Sequence, residues 1–125
     1  MNDKKKILLV EDEESTRKAL GQKLEEAGYE VFLAEDGEVG LKLAQEHTPD
    51  LILSDVIMPK MHGVDMLNIL KAEKWGKNIP VVVLTNYAED PKVLAAEKDG
   101  KCIVLNKTKC KLSDVINTVG EVVNK

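Results

Sequence analysis

The sequence has few aromatic residues, few cysteines and no long apolar run, and each shortage excludes a class of protein. Aromatic residues make up 3% of the chain, so a core has to be built from aliphatic side chains. The two cysteines, Cys102 and Cys110, lack the clustered spacing of a metal site and are too few for a disulfide framework. No apolar run approaches the length of a membrane span or of a signal peptide. We therefore predict a cytoplasmic protein with reduced thiols.

An excess of basic charge is also missing. The 22 acidic residues outnumber the 18 basic ones and give a formal net charge of −4. Direct binding to nucleic acid or to a membrane surface is therefore not expected. With 43% hydrophobic residues among 125, the chain can bury a sizeable core. We interpret residues 1–125 as a single domain, because no linker, repeat or low-complexity segment interrupts it, and we expect no output domain after its last helix.

The chain does contain a fivefold alternation of short apolar runs with segments of helical spacing. The runs lie at residues 7–10, 31–34, 51–54, 81–84 and 102–105. Unbroken apolar runs of this length are typical of strands that are buried on both faces, as in a parallel sheet. The alternation predicts an α/β fold with a five-stranded parallel sheet and helices on both of its faces.

The segments between the runs place apolar residues on one side of a helix. The predicted apolar faces comprise Leu20, Leu24 and Ala27, then Val64, Met66, Leu67 and Leu70, and finally Leu112, Val115, Ile116, Val119 and Val123. Gly28 follows the first helix where a left-handed residue is wanted. Asp36 and Gly37 begin the second helix. Asp90 precedes the fourth helix as a capping residue, and Pro91 suits a first helical turn.

Polar residues follow four of the predicted strands. Glu11 and Asp12 come after the first strand, Asp55 follows the third, Thr85 ends the fourth and Lys107 follows the fifth. Ligands of open parallel sheets bind at the carboxyl ends of the strands. We therefore expect the carboxylates, the hydroxyl and the ammonium of these residues to converge on one crevice.

Such a set of side chains is suited to phosphoryl transfer. Crowded carboxylates repel each other and favour a bound cation, and Mg²⁺ accepts an incomplete cage of oxygen ligands. A carboxylate can also act as the nucleophile and form an aspartyl-phosphate, while a metal ion and a lysine neutralise the transferred group. Each acid alone is more simply interpreted as a solvated or helix-capping residue, and only the whole set favours the site.

Two segments resemble the response-regulator receiver domain family. Residues 7–13, ILLVEDE, are similar to the family's first strand and acidic pair. Residues 51–63, LILSDVIMPKMHG, resemble its long phosphoacceptor motif. The resemblance covers essentially the whole chain and implies the flavodoxin-like strand order 2-1-3-4-5.

The resemblance implies metal ligands and a nucleophile. Asp55 would be the phosphoacceptor that becomes 4-aspartylphosphate. Asp12 would bind Mg²⁺ directly and Glu11 would act through water. Asp55 and the backbone carbonyl of Ile57 would complete the protein's metal ligands.

The resemblance also implies how the domain works. Thr85 and Lys107 would each contact a phosphoryl oxygen. The domain would receive the phosphoryl group from a histidine kinase or a histidine phosphotransfer protein, and would assist its own phosphorylation and dephosphorylation without being an enzyme for other substrates. A downstream protein would bind the face formed by the fourth helix, fifth strand and fifth helix.

Four residues depart from the family's pattern: Asn86 replaces a small residue, Val104 an aromatic one, Thr108 a proline and Lys101 an alanine. Because Thr108 changes the loop after the fifth strand, Lys109 is an alternative to Lys107. Val104 has no ring for the family's aromatic switch. We therefore expect phosphorylation to move the segment from Thr85 to Asp90 and the face formed by the fourth helix, fifth strand and fifth helix.

Two other functions remain open at this point. A flavin-binding electron carrier would share the architecture, but its first loop needs Ser, Thr and Gly, whereas residues 11–14 are all acidic and repel phosphate. A degenerate receiver would bind a partner without phosphorylation. His47 and His62 lack ligand partners in suitable spacing and are interpreted as solvated side chains.

Overall fold

A computed structural model describes residues 4–55 and 61–124 of the chain. Strands and helices alternate along it in the order β1 (Lys6–Val10), α1 (Glu14–Glu26), β2 (Glu30–Ala34), α2 (Gly37–His47), β3 (Leu51–Ser54), α3 (Gly63–Ala72), β4 (Val81–Thr85), α4 (Pro91–Lys98), β5 (Ile103–Asn106) and α5 (Leu112–Val123). The strands form one sheet in the order β2-β1-β3-β4-β5, and every neighbouring pair is parallel. The predicted fold class and strand order are confirmed.

The sheet separates two apolar layers, because alternate residues of a strand point to opposite faces. Leu8, Val10 and Ile52 pack with α2, α3 and α4 on one face. Ile7 and Leu9 pack with α1 and α5 on the other. Helices therefore cover both faces, as parallel sheets require.

Burial on both faces, predicted for all five runs, is wrong for the edge strands. Leu33 of β2 and Ile103 of β5 are each 43% exposed, whereas Leu53 in the central strand β3 is 1% exposed. An edge strand has one neighbouring strand instead of two, so its side chains are less enclosed. The prediction that Ala27 joins an apolar face is also wrong, because Ala27 is the residue after α1 and is exposed.

The helix ends follow the predicted residues. Gly28 adopts a φ of +100° just after α1, in the left-handed region that glycine tolerates. The Asp36 side chain accepts a hydrogen bond from the backbone N–H of Val39 at 2.9 Å. The Asp90 side chain accepts one from Lys92 at 2.8 Å, and Pro91 opens α4. Within the described part of the chain, no helix has the length and apolar character needed to cross a membrane.

Candidate functional site

The register of the strands brings the predicted polar residues to one edge of the sheet. Val10 pairs with Ser54, so the residues that follow them, Glu11 and Asp55, leave β1 and β3 side by side. The Asp55 N–H donates to the Val10 carbonyl at 3.0 Å and continues the ladder of the sheet. In the same way, the Lys107 N–H donates to the Thr85 carbonyl at 2.9 Å.

The ammonium group of Lys107 bridges the side chains of Glu11 and Asp55 at this edge of the sheet. Its Nζ donates to Glu11 Oε1 at 2.9 Å and to Asp55 Oδ2 at 3.1 Å. Lys109, the alternative lysine, is exposed. The structure thus places Lys107 between two of the three predicted carboxylates.

The three carboxylates form a compact group. Glu11, Asp12 and Asp55 each offer one oxygen atom, and these atoms all lie within 4.8 Å of one another. Glu11 is 3% exposed, the Asp55 side chain is 14% exposed, and Asp12 is open to solvent. Among residues 4–55 and 61–124, this is the one group of three or more Asp, Glu, His or Cys side chains that could hold a metal ion.

The electrostatics of the group follow from its burial. Desolvation raises the pKa of Glu11; the hydrogen bond from Lys107 lowers it, and the charge of Asp55 raises it further, so that the net shift is upward. Burial lowers the pKa of Lys107, but Glu11 and Asp55 together outweigh that effect and raise it. Lys107 is therefore held as a cation between the carboxylates.

Thr85 lies at the end of β4, fully buried. Its hydroxyl oxygen accepts a hydrogen bond from the backbone N–H of Tyr87 at 2.9 Å. Tyr87 itself is 55% exposed, in the segment that leads into α4. The threonine hydroxyl therefore connects the edge of the sheet to the start of a surface loop. Ile57, the residue predicted to contribute a backbone carbonyl, lies outside the described residues.

The loop that carries Lys107 is organised by Asn106, which the sequence analysis missed. Asn106 Oδ1 accepts from the Thr108 backbone N–H at 3.0 Å and from the Thr108 hydroxyl at 2.7 Å. The Asn106 carbonyl accepts from the Cys110 N–H at 3.1 Å. An asparagine before a turn is a recognisable signal for this geometry. These bonds order the loop that carries Lys107.

Arg17 is a second residue that the sequence analysis missed. Its Nη1 donates to the carbonyl oxygen of Glu11 at 2.9 Å and to that of Asp12 at 3.4 Å. The guanidinium group thus reaches back from α1 to the acidic loop. No sequence pattern singles it out from the other charged residues of α1.

The prediction that the two histidines are simply solvated is wrong. The His47 ring stacks on Phe32 with a centroid separation of 4.1 Å. His62 Nδ1 accepts a hydrogen bond from the Val64 N–H at 3.1 Å and caps α3. Both side chains therefore have structural contacts.

Comparisons with known proteins agree on one family. A sequence model of the response regulator receiver domain matches residues 7–119. The chain is similar to the alkaline phosphatase synthesis transcriptional regulatory protein PhoP of Bacillus subtilis, with 44% identity over 94 residues that cover 74% of this chain and 38% of that protein. The chain therefore spans well under half the length of this relative.

Solved structures show the same fold. The chemotaxis protein CheY4 of Vibrio cholerae has a TM-score of 0.86 and 31% identity, with 95% of this chain and 98% of that chain covered. The response regulator protein TrrA of Thermotoga maritima, solved in complex with Mg²⁺ and BeF, has a TM-score of 0.81 and 27% identity, with 94% and 98% covered.

Proposed function

The chain belongs to the response regulator receiver domain family of two-component signalling, and on this premise we propose that it accepts a phosphoryl group on Asp55 in a reaction that depends on Mg²⁺. The observation that carries the proposal is the contact of Lys107 with both Glu11 and Asp55, at 2.9 and 3.1 Å. It brings a cation to the carboxylate that would receive the phosphoryl group.

Exposure favours Asp55 as the nucleophile. Glu11 is 3% exposed and gives an incoming phosphorus atom too little access. The Asp55 side chain is 14% exposed, and its Oδ2 is hydrogen-bonded to Lys107. A carboxylate oxygen of Asp55 would form the new O–P bond as the P–N bond to a phosphohistidine breaks, and the imidazole would leave with the bonding electrons. Lys107 would stabilise the negative charge on the transferred group.

The donor set fits Mg²⁺, a hard cation that prefers oxygen ligands and keeps several waters. Both oxygens of Glu11 already accept hydrogen bonds, Oε1 from Lys107 at 2.9 Å and Oε2 from the Glu13 N–H at 3.3 Å. Within the described ranges, no hydrogen bond reaches the carboxylate of Asp12. This difference supports direct coordination by Asp12 and contact through water by Glu11, and Asp55 would be the second carboxylate ligand. When bound, the ion would neutralise phosphoryl oxygens during transfer.

We propose that the signal leaves through Thr85. A phosphoryl oxygen on Asp55 would draw the Thr85 hydroxyl inward, and the hydrogen bond from Tyr87 would shift with it. The adjoining surface carries exposed apolar side chains, with Tyr87, Leu94 and Ile103 at 55%, 47% and 43% exposure. We therefore propose that the downstream protein binds the face of α4, β5 and α5.

Amide exchange with and without beryllofluoride, a phosphoryl mimic, tests this route. We expect protection changes over residues 85–105. Changes confined to the loops that carry Glu11 and Asp55 would contradict it.

Residues 1–125 would form one receiver domain in the cytoplasm, phosphorylated by a histidine kinase or a histidine phosphotransfer protein. It would assist both its phosphorylation and its dephosphorylation, and would bind neither nucleic acid nor membrane directly.

Intact-mass analysis after treatment with acetyl phosphate and Mg²⁺ tests the central proposal. The parent protein should gain the mass of one phosphoryl group, and EDTA or Asp55→Asn should abolish the gain. Asp50→Asn is the matched control, because Asp50 precedes the same strand at its opposite end, and this variant should be labelled normally. An unlabelled parent would favour a degenerate receiver, and a label that survives Asp55→Asn would place the acceptor elsewhere.

A further inference from the structure

Arg17 connects helix α1 to the loop that carries the two acidic residues after β1. Its backbone N–H donates to the Glu13 carbonyl at 2.9 Å and closes the first turn of the helix. Its side chain turns back, and Nη1 lies 2.9 Å from the carbonyl oxygen of Glu11 and 3.4 Å from that of Asp12. One residue therefore holds three successive carbonyl groups.

These contacts constrain the direction of the acidic side chains. The carbonyl of Glu11 belongs to the peptide plane before Asp12, and the carbonyl of Asp12 belongs to the plane after it. With both planes restrained, the backbone dihedrals of Asp12 are restrained as well, and so is the direction of its Cα–Cβ bond.

Asp12 depends on this restraint more than its neighbours do. Glu11 is also held by its own N–H, which donates to Ala34 at 3.0 Å, and by the bond from Lys107 to its carboxylate. Asp12 lies beyond the end of β1 and is exposed. Among the described residues, the hydrogen bond from Arg17 is the one that reaches Asp12.

We infer that Arg17 is a positioning residue for the magnesium site, which it serves by orienting the backbone that carries Glu11 and Asp12. The inference rests on the proposed function of that site. Groups that orient metal ligands typically change metal affinity by about 10–100-fold when they are removed. Arg17 acts through the backbone and not on a carboxylate, so we expect the lower end of that range, about tenfold.

The test compares Arg17→Gln with Lys18→Gln. Lys18 is the next residue of α1, carries the same charge and forms an exposed salt bridge with Glu14 at 2.8 Å. The thermal midpoint of each protein is measured against MgCl₂ concentration, and acetyl phosphate labelling is measured over the same range. Arg17→Met is a second variant that keeps much of the apolar stem, so the test does not depend on one substitution folding.

For the Arg17 variants we expect the Mg²⁺ dissociation constant to rise about tenfold, with a much smaller change in the metal-free midpoint. Labelling at saturating Mg²⁺ should recover to the parent rate, whereas general disturbance of the fold would lower it at every concentration. Lys18→Gln should match the parent. Unchanged Mg²⁺ dependence in the Arg17 variants, or an equal loss in Lys18→Gln, would overturn the inference. A parent protein that neither binds Mg²⁺ nor becomes labelled would instead refute the proposed function, and the inference with it.

Discussion

Two partly buried lysines lie at opposite ends of the sheet and have different partners. Lys107, at the carboxyl ends of the strands, donates to the carboxylates of Glu11 and Asp55. Lys71, near the amino end of β4, donates to the backbone carbonyls of Ile79 and Lys77 at 2.6 and 3.3 Å. Burial lowers the pKa of Lys71, whereas the two carboxylates raise that of Lys107 in spite of burial. The lysine with carboxylate partners belongs to the candidate reaction site. The lysine with backbone carbonyl partners has a structural role at the opposite end of the sheet.

The largest expected effect is on phosphoryl transfer. Lys107→Met should slow labelling of Asp55 by acetyl phosphate about 100-fold, because a cation that stabilises the transferred group is lost. Lys71→Met should leave the rate unchanged, although it should lower the free energy of unfolding through the loss of two hydrogen bonds to carbonyls. Mass analysis of reactions quenched at successive times measures the labelling rate of both variants, and urea unfolding measures their free energy of unfolding. Equal loss of rate in the two variants would remove the distinction between the ends.

A smaller effect is expected on stability. Asp12→Ala should raise the thermal midpoint of the metal-free protein by about 2 °C, because one of three crowded carboxylates is removed. The same change should reduce the stabilisation produced by added Mg²⁺. Asp50→Ala, at the other end of the sheet, should lower the midpoint, because the Asp50 carboxylate accepts from the Lys6 N–H at 2.8 Å. An undiminished Mg²⁺ shift in Asp12→Ala would contradict the role of Asp12 as a ligand.

The smallest effect is the dependence of stability on alkaline pH. The contribution of Lys107 should be complete below the ordinary lysine pKa of about 10.4 and should be lost as the pH rises through its raised folded-state pKa. For Lys71, the unfolded chain binds more protons between the lowered folded-state pKa and the ordinary value, so its contribution to stability should increase with pH in that window. Urea unfolding of the parent and the two methionine variants between about pH 9 and pH 11 measures both slopes. Slopes of the same sign would show that the two lysines do not differ in this way.

Local signals in the sequence were sufficient for much of the fold. Apolar runs identified the strands, and Gly28, Asp36 and Asp90 marked helix ends, because these features act within a few residues of where they occur. The convergence of Glu11, Asp55 and Lys107 followed from one topological rule about strand ends. The exposure of β2 and β5 is already implied by the predicted strand order, which places both strands at edges.

Features that depend on tertiary geometry could not be predicted. The stacking of His47 on Phe32 requires the end of α2 to meet β2 at a particular distance. The reach of Arg17 to the carbonyl oxygens of Glu11 and Asp12 depends on the path of a short loop. A long side chain that donates to carbonyl oxygens outside its own helix leaves no spacing pattern, since every residue has a carbonyl group.

The separation of the site residues along the chain has a consequence for the order in which the protein becomes competent. Lys107 is 96 positions after Glu11 and 52 positions after Asp55. Synthesis runs from the amino terminus, so all three acids are translated before the lysine. Until β5 has been synthesised and paired with β4, the nascent chain has the carboxylate of Asp55 without its cationic partner. An incomplete chain consequently cannot form the intact site, and the proposed phosphoryl transfer would begin only after the final strand has joined the sheet.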